Sequence, residues 1–202
     1  GVIVGWLLDI ARGIYTLRTG KIIAKTAAGE WALENGLCPD ADAMQEAVLD
    51  RKEAHTRTGG SIDNAVIQRF ADVIGEEFTD TIQLFAESEL KRMKIDCKAI
   101  SLIRNKDGVS VWRVTADKGS YVMKCFDKPE YRREIANYRL LISLGIPTLR
   151  VIAQTDCSIV IEDIEFSAYR LGTAEDINDP NIAEKISLWY KLLHRNGREY
   201  AD

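Results

Sequence analysis

A lysine inside an apolar strand is the first feature of this sequence that could do chemistry. Lys124 lies in "SYVMKCF", residues 120–126, where most other side chains are those of a buried strand. An unpaired ammonium group in such a strand is costly, so we expect a carboxylate to face it. Glu134 lies beside the apolar face of the helix predicted next, a face formed by Ile135, Tyr138, Leu141 and Ile142. The spacing therefore predicts an ion pair between strand and helix that holds the Lys124 ammonium in place.

The elements before this pair are predicted to be helical. Apolar residues recur at helical spacing through the first segment, at Trp6, Leu7, Ile10, Ile14 and Leu17. Gly20 ends that helix, Thr26 caps the next, and Asp40 or Asp42 begins a third. A long helical stretch follows from Asn64, with Gly75 as a candidate break, and the polar "HTRTGGSIDN" of residues 55–64 is the predicted linker.

The hydrophobic period changes at Cys97. Strands are predicted over 97–104, 109–116 and 120–126, separated by the hairpin dipeptides Asp107-Gly108 and Lys118-Gly119. A helix from Pro129 or Glu130 to Gly145, strands within 149–156 and 158–164, and a last helix over 181–194 complete the pattern. The predicted fold class is α+β. An all-α helical bundle over 1–95 precedes an antiparallel five-stranded sheet with one packed helix and a C-terminal helix over 96–202.

Bulk properties exclude several function classes. A net charge of −4 and a pI near 5.4 argue against a nucleic-acid-binding surface. The four cysteines have no CxxC spacing, which favours reduced thiols and a cytoplasmic compartment. No apolar run approaches the roughly 20 residues of a membrane span. Because the sequence opens on Gly1 within a predicted helix, we expect a piece of a longer protein, with flanking domains missing.

Residues from about 97 to the end resemble the N-terminal lobe and hinge of the aminoglycoside phosphotransferase and choline kinase branch of the protein-kinase-like fold. The resemblance rests on the Lys124–Glu134 order, on "YRREIANYRLLISLGIPTLRVI" and on "ISLWYKLLH". It implies that Lys124 contacts the α and β phosphates of ATP and that Glu134 orients it. Gly108 and Ser110, in "NKDGVS", would cover the phosphates. Backbone groups near Glu162 and Ile164, in "IVIEDI", would bind the adenine edge.

The chain departs from that family where catalysis would begin. The catalytic aspartate of an HxDxxxxN-type loop and the later magnesium ligand have no counterpart before Asp202. His194 is interpreted as a helix-end residue that contacts carbonyl groups rather than as the histidine of that loop. We therefore predict no catalytic residue and no metal ligand in this chain.

The helical half resembles the C-terminal domain of aminoglycoside nucleotidyltransferases of the streptomycin/spectinomycin type. The resemblance covers about residues 5–50, perhaps to 95, and rests on "TGKI" at 19–22, Lys25 and "WALE" at 31–34. It implies that Lys25 reaches the nucleotide triphosphate, as a lysine at a helix start can. The alternative, given equal weight, is a solvated lysine. Trp31 is expected in the core.

Together these patterns predict a fragment of an aminoglycoside-modifying enzyme that uses ATP and Mg²⁺ and is inactive as an isolated chain. Its parent would transfer a nucleotidyl or phosphoryl group to antibiotic hydroxyls. One alternative is a pseudokinase-type regulatory module that binds a nucleotide or a partner without catalysis. Another is a fusion of remnants with no activity.

Overall fold

The computed structural model of the chain describes residues 2–53, 64–117 and 119–201. Over these ranges it contains six α-helices and one antiparallel sheet of five strands, so the predicted α+β class is confirmed. The chain divides into two compact units, Gly1–Leu84 and Phe85–Asp202. The predicted linker at residues 55–63, and Lys118 of the second predicted hairpin, lie outside the described residues.

The first unit is helical. It contains α1 (Val2–Thr19), α2 (Lys25–Glu34), α3 (Ala41–Lys52) and the part of α4 (Asn64–Arg92) that ends at Leu84. Its core is formed by apolar side chains of all four helices, among them Leu7, Leu8, Ile14, Met44 and Phe70. A Cβ on Gly29 would come within 2.7 Å of both Leu8 and Val48, so this glycine permits close helix packing.

Helix boundaries in this unit follow the predicted signals in part. Asp40 caps α3, because its Oδ1 accepts a hydrogen bond from the Ala43 amide at 3.0 Å. The residue before α2 is Ala24, with no side-chain cap, so the prediction that Thr26 caps this helix is wrong. Gly75 does not interrupt α4, which continues through it to Arg92.

The second unit is built on the sheet. Its strands are β1 (Ala99–Lys106), β2 (Val109–Ala116), β3 (Gly119–Phe126), β4 (Val151–Gln154) and β5 (Ser158–Glu162), and their spatial order is β1-β2-β3-β5-β4. A 3₁₀ turn at Pro129–Arg132 leads into α5 (Arg133–Ser143). Further 3₁₀ turns at Ile164–Phe166 and Glu175–Asn178 precede α6 (Pro180–Ala201).

The alternation of side chains along β2 and β3 gives the sheet two distinct faces. Trp112, Val114, Met123 and Cys125 are buried on one face. On the other face α5 packs through Ile135 against a cluster of Phe126, Ile159 and Ile161. Ile142, predicted on the apolar face of this helix, is instead 53% exposed, since it lies near the helix end.

Candidate functional site

Strand β3 places Lys124 near the middle of the sheet. Lys124 pairs with Val111 of β2 on one side and with Ile159 of β5 on the other. Cross-strand partners share a face, so Lys124 projects on the face that α5 covers in part. We call this surface the Lys124 face; its members on β2 and β3 are Val109, Val111, Arg113, Thr115, Ser120, Val122, Lys124 and Phe126.

The predicted ion pair is present. Lys124 Nζ donates to Glu134 Oε1 at 2.6 Å, and the two side chains are 28% and 34% exposed. The pair forms because Ile135 anchors the first turn of α5 in the cluster beneath the sheet, which points the preceding residue toward β3. Burial, with a smaller contribution from the Glu134 charge, raises the pKa of the neighbouring Tyr138 phenol. The prediction of an ammonium held by a helical carboxylate is therefore confirmed, while its role toward phosphates stays a prediction.

The segment after β5 is attached to the other end of the same face. Asp163 Oδ2 accepts from Ser120 Oγ at 2.7 Å and from Arg113 Nε at 3.0 Å. Asp163 Oδ1 accepts from the Glu165 amide at 3.2 Å, which starts the 3₁₀ turn. Burial alone would raise the pKa of Asp163, but the hydrogen bonds from Ser120, the Glu165 amide and Arg113 outweigh it and lower that pKa.

The two residues predicted to border an adenine site flank Asp163. Glu162 is the last residue of β5 and pairs with Tyr121. Its side chain and its amide both bond to the backbone of Arg150, at 2.8 Å and 3.0 Å. The Ile164 carbonyl accepts from the amide and hydroxyl of Ser167. Both residues are thus fixed by contacts within the second unit.

The predicted phosphate-covering loop is shorter than expected. Asn105 and Lys106 pair in the β ladder with Ser110 and Val109, so the turn consists of Asp107 and Gly108 alone. Both have positive φ, 54° and 80°, which is the geometry of a tight primed hairpin.

Ser110 is not brought to the Lys124 face. It pairs with Cys125 on the opposite face, where its hydroxyl accepts from Trp112 Nε1 at 2.9 Å. A shift of one position along a strand reverses the face of a side chain, and the extension of β1 to Lys106 sets this register. Ser110, predicted to donate to phosphate oxygens, is thus buried on the face opposite Lys124 in this structure, and its role toward phosphates stays a prediction.

In the first unit, Lys25 is the first residue of α2 and forms an ion pair. Its Nζ donates to Asp9 Oδ2 at 2.7 Å, and Arg12 donates to Asp9 Oδ1 at 2.9 Å. Asp9 and Arg12, one turn apart on α1, thus form a local ion pair, and Lys25 is not simply solvated. Two cations share one carboxylate here, which leaves a local excess of positive charge.

Asp9 and Arg12 also lie at an open groove between α1 and α4. The groove has a volume of about 690 Å³, and its other lining residues are Gly13, Thr16, Leu17, Ala71, Ile74, Gly75 and Phe78. Trp31 lies outside this lining: it packs against the core with its ring edge-on to Tyr15, at 5.1 Å between centroids. This agrees with its predicted core position.

His194 is exposed and lies within α6, which continues to Ala201. The interpretation of His194 as a helix-end residue is therefore wrong. It lines the same groove as Lys191, Arg195 and Arg198, which lie at helical spacing around it.

One buried carboxylate, that of Glu89, was not predicted from the sequence. Glu89, on the last turns of α4, is 1% exposed and accepts from three side chains of the β4–β5 turn. Thr155 Oγ1 and Ser158 Oγ donate to its Oε2 at 2.5 and 2.6 Å, and the Cys157 thiol lies at 3.3 Å. Ala86 and Leu90, both apolar and buried, lie on the same part of the helix as Glu89. Their positions were the available signal that Glu89 is buried.

Over the described ranges, no group of three or more His, Cys, Asp or Glu side chains could hold a metal ion. In the same ranges, no helix combines the length and apolar character that a bilayer crossing requires.

Comparison with known families bears on the first unit. Residues 4–76 match the family model of the aminoglycoside adenylyltransferase C-terminal domain. Over this segment the chain is similar to the C-terminal domain of aminoglycoside adenylyltransferases, so the predicted resemblance of the helical half is supported. The match ends before the second unit begins at Phe85. A search of curated proteins gave no match to the chain.

Proposed function

We propose that this protein is part of a cytoplasmic aminoglycoside-modifying transferase that uses ATP. The observation that carries the proposal is the family match over residues 4–76. The cluster of Lys25, Arg12 and Asp9 supports it, because its excess positive charge at a helix start suits a phosphate group. The acidic chain, with net charge −4, suits a cationic antibiotic.

The second unit is proposed as a nucleotide-binding lobe of the kinase-like type. Lys124, held by Glu134, would contact the α and β phosphates. Val111 and Val122, both half-buried on the same face, would contact the base, and backbone groups at Glu162 and Ile164 would bind its edge. Ser120 and Lys124 are four positions apart on β3, about 13 Å at the rise of a strand, which is comparable to the span of an extended nucleoside triphosphate.

This proposal gives the chain binding groups rather than catalytic groups. The described residues offer no cluster for Mg²⁺, so no step is assigned to the ion here. We expect the isolated chain to bind ATP weakly and to transfer neither AMP nor phosphate.

A nucleotide-binding regulatory module is the second candidate function. It is favoured by the fully formed ion pair of Lys124 and Glu134, which holds an ammonium group in place on the face proposed to bind the nucleotide. Such a module would bind ATP through Lys124 without binding an aminoglycoside.

Isothermal titration calorimetry with ATP and with streptomycin tests both candidates. We expect ATP to bind in the range from high micromolar to millimolar, and Lys124→Met to weaken it at least tenfold, about 1.4 kcal/mol. Lys98→Met is the matched control, because it removes an exposed ammonium that pairs with Asp117 on the same unit.

The outcomes separate the candidates. Streptomycin binding together with ATP binding that Lys25→Met weakens supports the transferase, whereas ATP binding without any streptomycin binding supports the regulatory module. Micromolar ATP affinity that survives Lys124→Met contradicts the proposed nucleotide site. Absence of ATP binding at millimolar concentration contradicts the use of ATP by the second unit.

A further inference from the structure

We infer that Arg113 is a positioning residue of the nucleotide site, acting through Asp163 to hold the segment Asp163–Phe166 where its backbone can bind the base. This inference rests on the proposed function. It names a residue that the predicted site did not include, and it divides the site into a base end and a phosphate end that can be tested separately.

The contacts of Arg113 all converge on the segment after β5. Its Nε donates to Asp163 Oδ2 at 3.0 Å, and its terminal nitrogen donates to the Glu165 carboxylate. Its guanidinium carbon also lies 5.9 Å from the centroid of the Phe166 ring. One side chain of β2 thus contacts three residues of a segment fifty positions later in the sequence.

The electrostatics favour a single position for this segment. The Asp163 side chain is 3% exposed, so its carboxylate depends on Arg113 and Ser120 for compensation. The planar guanidinium group presents its donors in a rigid fork that here meets two carboxylates, whereas an ammonium group lacks this fork. We therefore expect Arg113→Lys to hold the segment Asp163–Phe166 less well than arginine does, although better than an uncharged side chain would.

The arrangement also explains why the two ends are separable. Arg113 pairs with Val122 across β2 and β3, and Lys124 is the next residue on that face. Ser120 and Arg113 hold the segment at one end, while Glu134 holds Lys124 at the other, and no described hydrogen bond joins the two groups. Loss of Arg113 should therefore affect contacts with the base and leave contacts with phosphates.

Binding of adenosine, ATP and inorganic tripolyphosphate to the full chain tests this inference. We expect Arg113→Met to weaken adenosine and ATP about tenfold or more, the loss that follows when charge-assisted hydrogen bonds are removed. Tripolyphosphate affinity should stay within about twofold, and Lys124→Met should show the reverse selectivity. Arg104→Met, on the exposed edge strand β1, is the matched control and should leave all three ligands unchanged.

Ser120→Ala provides a milder second variant in case Arg113→Met does not fold. It removes the other donor to Asp163 and should weaken adenosine selectively. Equal loss of all three ligands, or unchanged adenosine binding in both variants, overturns the inference alone. If the unsubstituted chain binds neither adenosine nor tripolyphosphate, the nucleotide proposal is overturned and this inference with it.

Discussion

Replacement of Glu89 by glutamine should destabilise the second unit more than any exposed charge change. Four donors converge on the Glu89 carboxylate: Arg92, Thr155, Cys157 and Ser158. Glutamine keeps the side-chain volume, but its amide NH₂ would face hydroxyl and guanidinium donors and leave some without an acceptor. The expected result is a loosened contact between the end of α4 and the β4–β5 turn.

The magnitude follows from the pKa of this carboxyl group. Burial alone would raise it, but the hydrogen bonds from Ser158, Thr155, Arg92 and Cys157 lower the pKa from 4.5 to about 2. At about 1.4 kcal/mol per pKa unit, this difference corresponds to roughly 3 kcal/mol. Because the folded-state pKa is lowered, this stability is fully present above pH 4.5 and is lost as the pH falls toward 2.

Urea unfolding, monitored by hydrogen exchange, measures the loss of stability around Glu89. With a urea slope of about 1–2 kcal/mol/M for a unit of this size, a loss of about 3 kcal/mol in Glu89→Gln should lower its midpoint by roughly 1.5–3 M. Peptides covering 153–159 and the last turns of α4 should lose protection first. Glu184→Gln, an exposed carboxylate on α6, is the matched control and should shift the midpoint little.

A midpoint for Glu89→Gln equal to that of Glu184→Gln would refute this reasoning. Equal losses of stability in the unsubstituted protein and in Glu89→Gln as the pH falls from 4.5 to 2 would also refute it. The variant should be less dependent on pH in this window because it lacks the group that titrates there.

Four further predictions concern the described contacts. Glu134→Ala should destabilise the second unit by about 1 kcal/mol in urea unfolding, a modest value because this carboxylate is 34% exposed. Asp40→Ala should cost the first unit about 1 kcal/mol through loss of the cap on α3. Gly108→Ala should lower the thermal midpoint by an amount equivalent to roughly 1 kcal/mol, since φ there is 80°. Cys97, which is exposed, should react with a chromogenic disulfide reagent in the native protein, while Cys125, whose pKa burial raises to about 12, should react only after unfolding.

Each of these predictions has a clear contrary result. Unchanged unfolding midpoints for the glutamate, aspartate or glycine variants would show that the contact in question contributes nothing measurable. Equal reaction rates of the two thiols in the native state would contradict their assigned burial.

Much of the local structure could be predicted because its signals lie within a few residues. Helical periodicity located α1, and Asp40 marked the start of α3. The Asp107-Gly108 dipeptide located the first hairpin, whose two positive φ values few residue types adopt easily. Errors arose where competing local signals were close together, as between Ala24 and Thr26 at the start of α2.

The Lys124–Glu134 pair was predictable from sequence because both partners are constrained locally. A strand and the helix that directly follows it allow few arrangements, and an ammonium group in an apolar strand requires a carboxylate nearby. Helical spacing then left Glu134 as the carboxylate beside the apolar face. The same local reasoning placed Trp31 in the core of the first unit.

Only the tertiary structure decided which distant groups meet. Strand register placed Ser110 on the face opposite Lys124, and it brought Arg113 to Asp163, fifty positions away in the sequence. Chain packing brought Glu89 to Ser158 across 69 positions. Periodicity and turn residues specify elements, but a register that reverses with a one-residue shift depends on the packing of the whole sheet.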